Sequence, residues 1–346
     1  MLICMRSFLH KLRQHAAPSA AITLAALSCL AACAFLAALC FGSTSLDLGA
    51  ALRAWLAGDS SSAAYRILMY VRLPRALGAL LAGAALATAG VLIQAVLQNP
   101  MAAPNVIGVN AGAGFVAVLL TALFPSAVGL LPMGAFLGAL ATCLLIWLIA
   151  AISGAGRVTI TLVGVAVGSI LTAGINAVKT LFPDSLYDVT SFLVGGLSGV
   201  TYRTLTPAWQ MILGGLLLSL LLARRADLLS LGDEVAAGLG LSVRRNRFFL
   251  LLLAALLAGA AVSFAGLLGF VGLLVPHILR RFTGNRHRLL LPAAALGGSS
   301  LVLLADTLSR VLFAPYELPV GILLSLLGGP FFILLLLSGR RYRHDA

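Results

Sequence analysis

The stretch Ala76-Leu-Gly-Ala-Leu-Leu-Ala-Gly-Ala-Ala-Leu-Ala-Thr-Ala-Gly90 opens a run without a single Asp, Glu, Lys or Arg, which ends only at Gly156. One charge at the centre of a membrane helix costs roughly 2.5–3.5 kcal/mol on insertion scales, so this run has the composition of a bilayer interior. Prolines divide it into three predicted membrane helices, at Asn99-Pro100, at Pro104 and between Pro125 and Pro132.

The rest of the chain has the same character. Of its 346 residues, 61% are hydrophobic and only 10% are charged, whereas roughly a quarter of the residues in a soluble domain are charged. The uncharged runs predict an all-α integral membrane protein with ten transmembrane helices. The predicted spans are 19–41, 76–98, 105–124, 131–151, 158–178, 205–223, 248–264, 265–279, 290–308 and 318–338. The seventh and eighth are the least clearly divided, and an even number of spans keeps both basic termini on one side.

The basic residues indicate the orientation. The net charge of +13 comes from 23 Lys and Arg against 10 Asp and Glu, and the arginines cluster between apolar runs, as in cytoplasmic loops rather than nucleic-acid-binding proteins. We predict one transmembrane domain, residues 1–346, with cytoplasmic segments at 1–18, 224–247 and 339–346 and both termini in the cytoplasm. Seven basic residues fall outside, and the four arginines between the first two predicted spans run against the rule and need another explanation: Arg53, Arg66, Arg72 and Arg75.

The chain contains an internal repeat. Leu81-Ala-Gly-Ala-Ala-Leu-Ala-Thr-Ala-Gly90 and Leu257-Ala-Gly-Ala-Ala-Val-Ser-Phe-Ala-Gly266 differ only at their centre, and Pro100 and Pro276 follow them at the same distance. The two segments belong to the second and seventh spans, an odd number of crossings apart. This predicts an inverted repeat that relates the second to fifth spans to the seventh to tenth. The second half shows no clear counterpart of the 105–124 span.

The sequence shows no catalytic motif. Neither Lys11 nor Lys179 follows a glycine, so the chain has no P-loop of its own, and we expect no enzymatic activity, metal or cofactor in this chain. Asp306 is the only acidic residue inside a predicted span, and Arg310 at i+4 can pair with it. This argues against an ion-coupled secondary transporter, in which intramembrane ionisable residues are usual.

The loop Leu231-Gly-Asp-Glu-Val-Ala-Ala-Gly-Leu-Gly-Leu241 has the pattern of a short helix. Asp233 is placed to cap it, since acidic residues are favoured at a helix start, and Gly238 and Gly240 are placed to end it. From the residues alone, a solvated connector and a docking helix for a partner protein are equally well supported.

Several motifs stand in a fixed order along the chain: Arg72-Leu-Pro-Arg75, Gly83, Gly90, Gln94, Asn99-Pro-Met-Ala-Ala-Pro104, Gly108, Gly232-Asp-Glu-Val-Ala-Ala-Gly-Leu-Gly240, Gly269-Phe-Val-Gly-Leu-Leu-Val-Pro-His277, Leu289-Leu-Leu-Pro292, Ala305-Asp306, Glu317-Leu-Pro-Val-Gly321 and Gly328-Gly-Pro-Phe331. In this order they resemble the FecCD-type permeases, the membrane subunits of siderophore, haem and vitamin B12 importers. The resemblance runs from about Arg72 to the C-terminus.

The resemblance implies a permease subunit that moves an iron(III)-siderophore or similar metal chelate inward across the bacterial inner membrane. It implies three partners: a second permease copy (identical or related), a cytoplasmic subunit that binds ATP and Mg²⁺, and a periplasmic or extracellular substrate-binding protein. Haem and cobalamin are alternative cargoes, because no residue of the sequence discriminates among bulky chelates.

The resemblance also assigns residues. Arg72, Arg75 and Arg310 would meet acidic residues of the binding protein, the alternative being interfacial snorkelling. Coupling to the ATPase would lie in Gly232, Asp233, Glu234, Ala237, Leu239 and Gly240. Gln94, Asn99 and Pro100 would line the translocation path, although such amides equally serve to satisfy the backbone of a broken helix. Residues 43–71 depart from the family pattern, and we expect an external loop there.

Overall fold

The computed structural model describes residues 20–44, 46–183 and 187–341, and this part of the chain folds entirely into helices and connecting loops. Ten helices of 13 to 25 residues lie in these ranges: α1 (Ala20–Cys40), α2 (Leu73–Leu97), α3 (Val109–Leu123), α4 (Leu131–Ile152), α5 (Arg157–Leu181), α6 (Tyr202–Leu221), α7 (Val243–Ala265), α8 (Val271–Thr283), α9 (His287–Val311) and α10 (Val320–Arg341). They follow the order of the ten predicted spans, so the predicted fold class is confirmed. The predicted cytoplasmic segment 1–18 and residues 342–346 of the tail lie outside the described residues.

α2 is the central helix of the bundle, and almost all of its side chains are buried. It packs against α7, α8 and α9. Glycines permit the closest of these contacts, because a Cβ added to Gly83 would collide with the carbonyl of Gly298, and one added to Gly90 with that of Gly272. Small residues at these positions let the helix backbones approach directly, as is usual where lipid supplies no hydrophobic driving force.

The helix lengths support the internal repeat. In the first half a long helix (α2) is followed by a short one (α3, 15 residues) and two long ones. In the second half α7 is followed by α8, of only 13 residues, and two long helices. α8 is therefore the counterpart of α3 that the sequence did not reveal. The packing agrees with this repeat, in which α7 corresponds to α2 and α9 to α4. α2 packs against α9, and the corresponding pair, α7 and α4, also pack against each other.

Two predicted boundaries are wrong. The external loop expected at 43–71 contains the helix Leu48–Leu56, and a continuous helix runs from Ala63 through a π-helical turn into α2. The uncharged run begins only at Ala76, after Arg72 and Arg75, so it does not reveal this N-terminal extension of the helix. The break between the seventh and eighth spans lies at 266–270, not at 264–265. There Gly266 and Phe270 adopt φ of 68° and 65°, and the helix then continues through Pro276, which does not break it.

The connection between α6 and α7 contains two short helices, Ala223–Ser230 and Asp233–Gly238. We call the second the loop helix. The residue at its N-cap is Gly232, whose φ of 112° excludes most other residues, and Asp233 is the first helical residue. The predicted capping role of Asp233 is therefore wrong, because Gly232 holds the cap position and the Asp233 side chain bonds to Arg247 instead.

Candidate functional site

The two ends of α2 carry the two polar clusters of the bundle. Arg72 and Arg75 lie at its N-terminal end, which we call the arginine end. Gln98 follows its last residue and lies beside the loop helix, at what we call the loop end. A helix of this length spans about 37 Å, so the clusters lie on opposite sides of the membrane-spanning region.

At the arginine end, Arg75 forms ion pairs with residues distant in sequence. Its Nη2 lies 3.0 Å from Oδ1 of Asp306 in α9, and its Nη1 lies 2.6 Å from Oε2 of Glu317, in the loop before α10. Arg310 pairs with the same aspartate, Nε to Oδ2, at 3.2 Å, which confirms the pair expected from their i,i+4 spacing. Asp306 therefore bridges two arginines on different helices.

Arg72 bonds to the backbone instead. Its guanidinium donates to the carbonyl oxygens of Leu39 and Cys40, both at 2.7 Å, and of Thr44 at 2.6 Å. The structure thus brings the three predicted docking arginines together, but inside the protein: Arg72, Arg75 and Arg310 are 3%, 6% and 3% exposed. Their guanidinium groups hold together α1, α2, α9 and the loop before α10.

Glu317 is the member of this cluster that reaches the surface, with 31% of its side chain exposed. Ser43 Oγ donates to its Oε1 at 2.6 Å. Burial raises the pKa of the carboxyl, but the hydrogen bonds from Ser43 and Arg75 and the charges of Arg75 and Arg310 outweigh it, so the pKa lies below the ordinary 4.5. The sequence analysis expected Asp306 only as a partner of Arg310, and did not single out Glu317 as a partner of any of these arginines.

At the loop end, the loop helix projects its side chains outward. Of its six residues only Ala236 is buried, and Glu234, Ala237, Gly238, Leu239 and Gly240 are exposed. Val235 and Leu239 are 52% and 60% exposed, and the adjacent Leu231 is 59% exposed. Four of the six predicted coupling residues, Glu234, Ala237, Leu239 and Gly240, therefore lie on one exposed surface, which is apolar at its centre and has its acidic group at Glu234.

Asp233 differs from these residues, because its carboxylate bonds to side chains of the bundle while 36% of the side chain stays exposed. Oδ1 accepts a hydrogen bond from Arg247 Nη2 of α7 at 2.7 Å and lies 3.5 Å from Gln98 Nε2. Oδ2 lies 3.8 Å from Arg157 Nε, the first residue of α5. Arg157 also donates to the amide oxygen of Gln98. Gln98, Arg157 and Arg247 were not among the predicted site residues.

The predicted path residues have structural roles at the end of α2. Gln94 is buried, donates to the carbonyls of Ala102 at 3.1 Å and Gly272 at 3.3 Å, and accepts from Arg280 Nη1 at 2.5 Å. Asn99 is exposed and its Oδ1 accepts from the backbone N–H of Met101 at 2.9 Å. Pro100 is exposed beside it. Both amides satisfy backbone groups where the helix breaks, the alternative role considered from the sequence.

A groove of about 740 Å³ opens on another face of the bundle. It lies between the start of α3, the 266–270 break and α10, and no charged side chain lines it. Asn105, Asn110 and Ser325 supply its side-chain polar groups, and Phe270 and Leu326 are among its apolar ones. The buried Oδ1 of Asn110 has no hydrogen-bond partner among the described residues.

The family follows from comparison with known proteins. A model of the FecCD transport family matches residues 29–338. The chain belongs to the FecCD transport family. It is accordingly a multi-pass membrane permease, and the resemblance read from the ordered motifs is confirmed.

The relatives of this FecCD family member that are similar over most of its length are transport proteins. The hemin transport system permease protein HmuU of Yersinia pestis is 40% identical over 82% of this chain and 87% of its own length. The Fe(3+) dicitrate transport system permease protein FecD of Escherichia coli is 40% identical over 90% of this chain and 96% of its own. A solved structure described as an inward-facing conformation of a metal-chelate type ABC transporter matches with a TM-score of 0.80 and 28% identity, covering 92% of this chain and 99% of that one.

Proposed function

We propose that this FecCD family member is the permease subunit of an ATP-driven importer that moves an iron(III) chelate of the siderophore class inward. The observation that carries the proposal is the surface of the loop helix. It exposes Val235 and Leu239 to solvent around the single carboxylate of Glu234. An exposed apolar patch with a polar rim is typical of a protein interface.

The partner at this surface is proposed to be a cytoplasmic ATP-binding subunit. ATP and Mg²⁺ would be bound there, because this chain has no P-loop. Exposed arginines surround the loop end, which supports a cytoplasmic location for this end and for both termini under the positive-inside rule. They are Arg224, Arg225, Arg244, Arg245, Arg281, Arg286 and Arg288. The proposed location is the bacterial inner membrane.

The opposite end is proposed to receive a substrate-binding protein on the outer side. We propose that it docks through Arg72, Arg75 and Arg310. The geometry requires that it compete with the partners these arginines already have. Each guanidinium is already bonded within the chain, so an acidic residue of the binding protein has to compete with Glu317, the partly exposed member. Complementary charges of this kind steer and orient association.

The translocation path is proposed to lie along the uncharged groove, completed by a second permease copy. Asn105, Asn110 and Ser325 offer amides and a hydroxyl, and the remaining wall is apolar or glycine. Such a wall suits a bulky chelate whose charges are largely internal. The predicted path residues Gln94, Asn99 and Pro100 would act on the path only through the end of α2.

Haem is the second candidate cargo, because the relative from Yersinia pestis is a hemin permease. Cobalamin remains a further alternative within the same class of importer. An ion-coupled secondary transporter is the competing class, and its test is whether transport needs ATP.

Purification of the tagged chain from its native membrane tests the proposal. We expect an ATP-binding subunit to co-purify, and reconstituted vesicles to take up one chelate only with ATP and the loaded binding protein. Parallel assays with ferric siderophores, ferric citrate, haem and cobalamin identify the cargo. Uptake by the chain alone, without ATP, would overturn the proposal in favour of a secondary transporter.

A further inference from the structure

We propose that Asp233 is a positioning residue that clamps the loop helix to three membrane helices, so that a displacement of the loop helix moves α2, α5 and α7 together. The inference rests on the proposed function, since the displacement is the one an ATPase would impose. The juxtaposition that carries it is one carboxylate held among Gln98, Arg157 and Arg247.

Each partner of Asp233 lies near the end of a different long helix. Gln98 follows the last residue of α2, Arg157 is the first residue of α5, and Arg247 lies at the start of α7. Arg247 also donates to the carbonyl of Ala155, just before α5, at 2.6 Å. The contacts therefore join the loop helix to the ends of these helices. A shift of the loop helix would then move each helix along its axis, and not only rotate side chains.

The charges make Asp233 the key member. Arg157 and Arg247 contribute two positive charges, and the carboxylate of Asp233 is the acidic group within ion-pair distance of either among the described residues. The Arg247 side chain is only 4% exposed, so loss of its counter-ion would leave a buried charge unpaired, which is costly. Hydrogen bonds between charged groups are also stronger than neutral ones.

Asp233 and Glu234 have different roles in the loop helix: Asp233 bonds to the bundle, and Glu234 is available to a partner. Adjacent residues on a helix do not face the same side, and here the first carboxylate faces the bundle while Glu234 is exposed. The preceding helix has its own attachment, because Asp227 accepts from the backbone N–H of His287, the first residue of α9, at 2.8 Å. A partner that grips Glu234 and Leu239 thus acts on a segment already fixed to the bundle.

The test compares variants of the whole transporter in vesicles, with its ATPase and binding protein. In Asp233→Asn we expect the ATPase to co-purify and hydrolyse ATP, while cargo moved per ATP falls roughly two- to thirtyfold, the range found for mutations along coupling networks. Asp233→Glu keeps the carboxylate and should recover part of the coupling. Asp59→Asn, at an exposed position at the other end of the bundle, removes the same group and should behave as the wild type.

Arg157→Gln provides a second route if Asp233→Asn does not fold. It leaves the Asp233–Arg247 pair in place and should also lower cargo per ATP. Where Asp233→Asn does fold, the double variant of Asp233→Asn with Arg157→Gln should be no worse than the more severe single one. Unchanged cargo per ATP in a folded Asp233→Asn complex would overturn the inference. So would loss of the ATPase from that variant, since Asp233 would then belong to the partner surface. A wild-type chain without any ATPase would overturn the proposed function itself.

Discussion

The two ends of the bundle use their charges in opposite ways. At the arginine end, Arg72, Arg75 and Arg310 turn inward and are satisfied by backbone carbonyls, Asp306 and Glu317. At the loop end, one carboxylate turns inward at Asp233 and an apolar surface with Glu234 is left for a partner. A resemblance between sequences assigns both ends to docking. The loop end exposes four of its six assigned residues to solvent, whereas the three assigned arginines are all buried.

Charge in a membrane protein is therefore not in itself a sign that a residue lies on the surface. An arginine near a helix end can leave the aqueous phase if carboxylates and carbonyls satisfy its donors, and removing a partner is then far more costly than the net worth of the pair. The arginine end should therefore respond to substitution mainly in stability, and the loop end mainly in association. Three substitutions test this contrast, one at a time.

Asp306→Asn should have the largest effect. The change leaves the buried Arg75 and Arg310 with Glu317 as their one remaining acidic partner among the described residues, and breaking a buried ion pair typically costs about 3–5 kcal/mol. We expect a large drop in the unfolding temperature of the detergent-solubilised chain. Asp59→Asn, at an exposed position, is the control. An unfolding temperature equal to that of the wild type would mean that the arginine cluster does not hold the helices together.

Leu239→Asp should follow, with its effect on association instead. Leu239 is 60% exposed, so the chain should fold normally. Burial of a leucine at an interface contributes about 1.5–3 kcal/mol, which corresponds to a tenfold or greater loss of affinity for the ATP-binding subunit. The measurement is the amount of that subunit retained on the tagged chain at increasing dilution.

The matched control for this substitution is Leu56→Asp. Leu56 is 71% exposed in the short helix between α1 and α2, so the same chemical change is made at the other end of the bundle. It should leave the affinity for the ATP-binding subunit unchanged. If Leu239→Asp retained that subunit as firmly as Leu56→Asp, the loop helix would not be the docking surface.

The sequence predicts local features of both ends and misses the long-range ones. The Asp306–Arg310 pair and the end of α2 at Asn99-Pro100 follow from spacing within a few residues, and both are found. The Arg75–Asp306 pair joins residues 231 positions apart, and it depends on the packing of α2 against α9. The contacts of Asp233 with the bundle are also long-range, because its partners Arg157 and Arg247 belong to α5 and α7.

The boundaries of α8 were missed for a different reason. All residues from Gly266 to Phe270 are apolar or glycine, so no charge marks the turn. The turn depends on backbone conformation, with positive φ at both ends of this segment. Only the helix lengths in three dimensions then show that α8 corresponds to α3 in the repeat. Charge patterns therefore locate membrane helices well where loops are polar and poorly where the loop itself is buried.

Glu317→Gln should have the smallest effect and the clearest pH signature. A part-exposed ion pair contributes about 1 kcal/mol or less, so the variant should unfold at a slightly lower temperature than the wild type at pH 7. Since the pKa of Glu317 in the folded protein is lowered from 4.5, its stabilisation is present above pH 4.5 and is lost as the pH falls through the folded-state pKa. The difference in unfolding temperature between the wild type and Glu317→Gln should therefore shrink on acidification below pH 4.5.

The control for this prediction is Glu234→Gln, which removes the same group from the exposed loop helix and should leave the unfolding temperature unchanged. A wild-type advantage over Glu317→Gln that stayed constant down to the acid limit of folding would show that the carboxylate charge does not hold Arg75, and the contrast between the two ends would then rest on Asp306 alone.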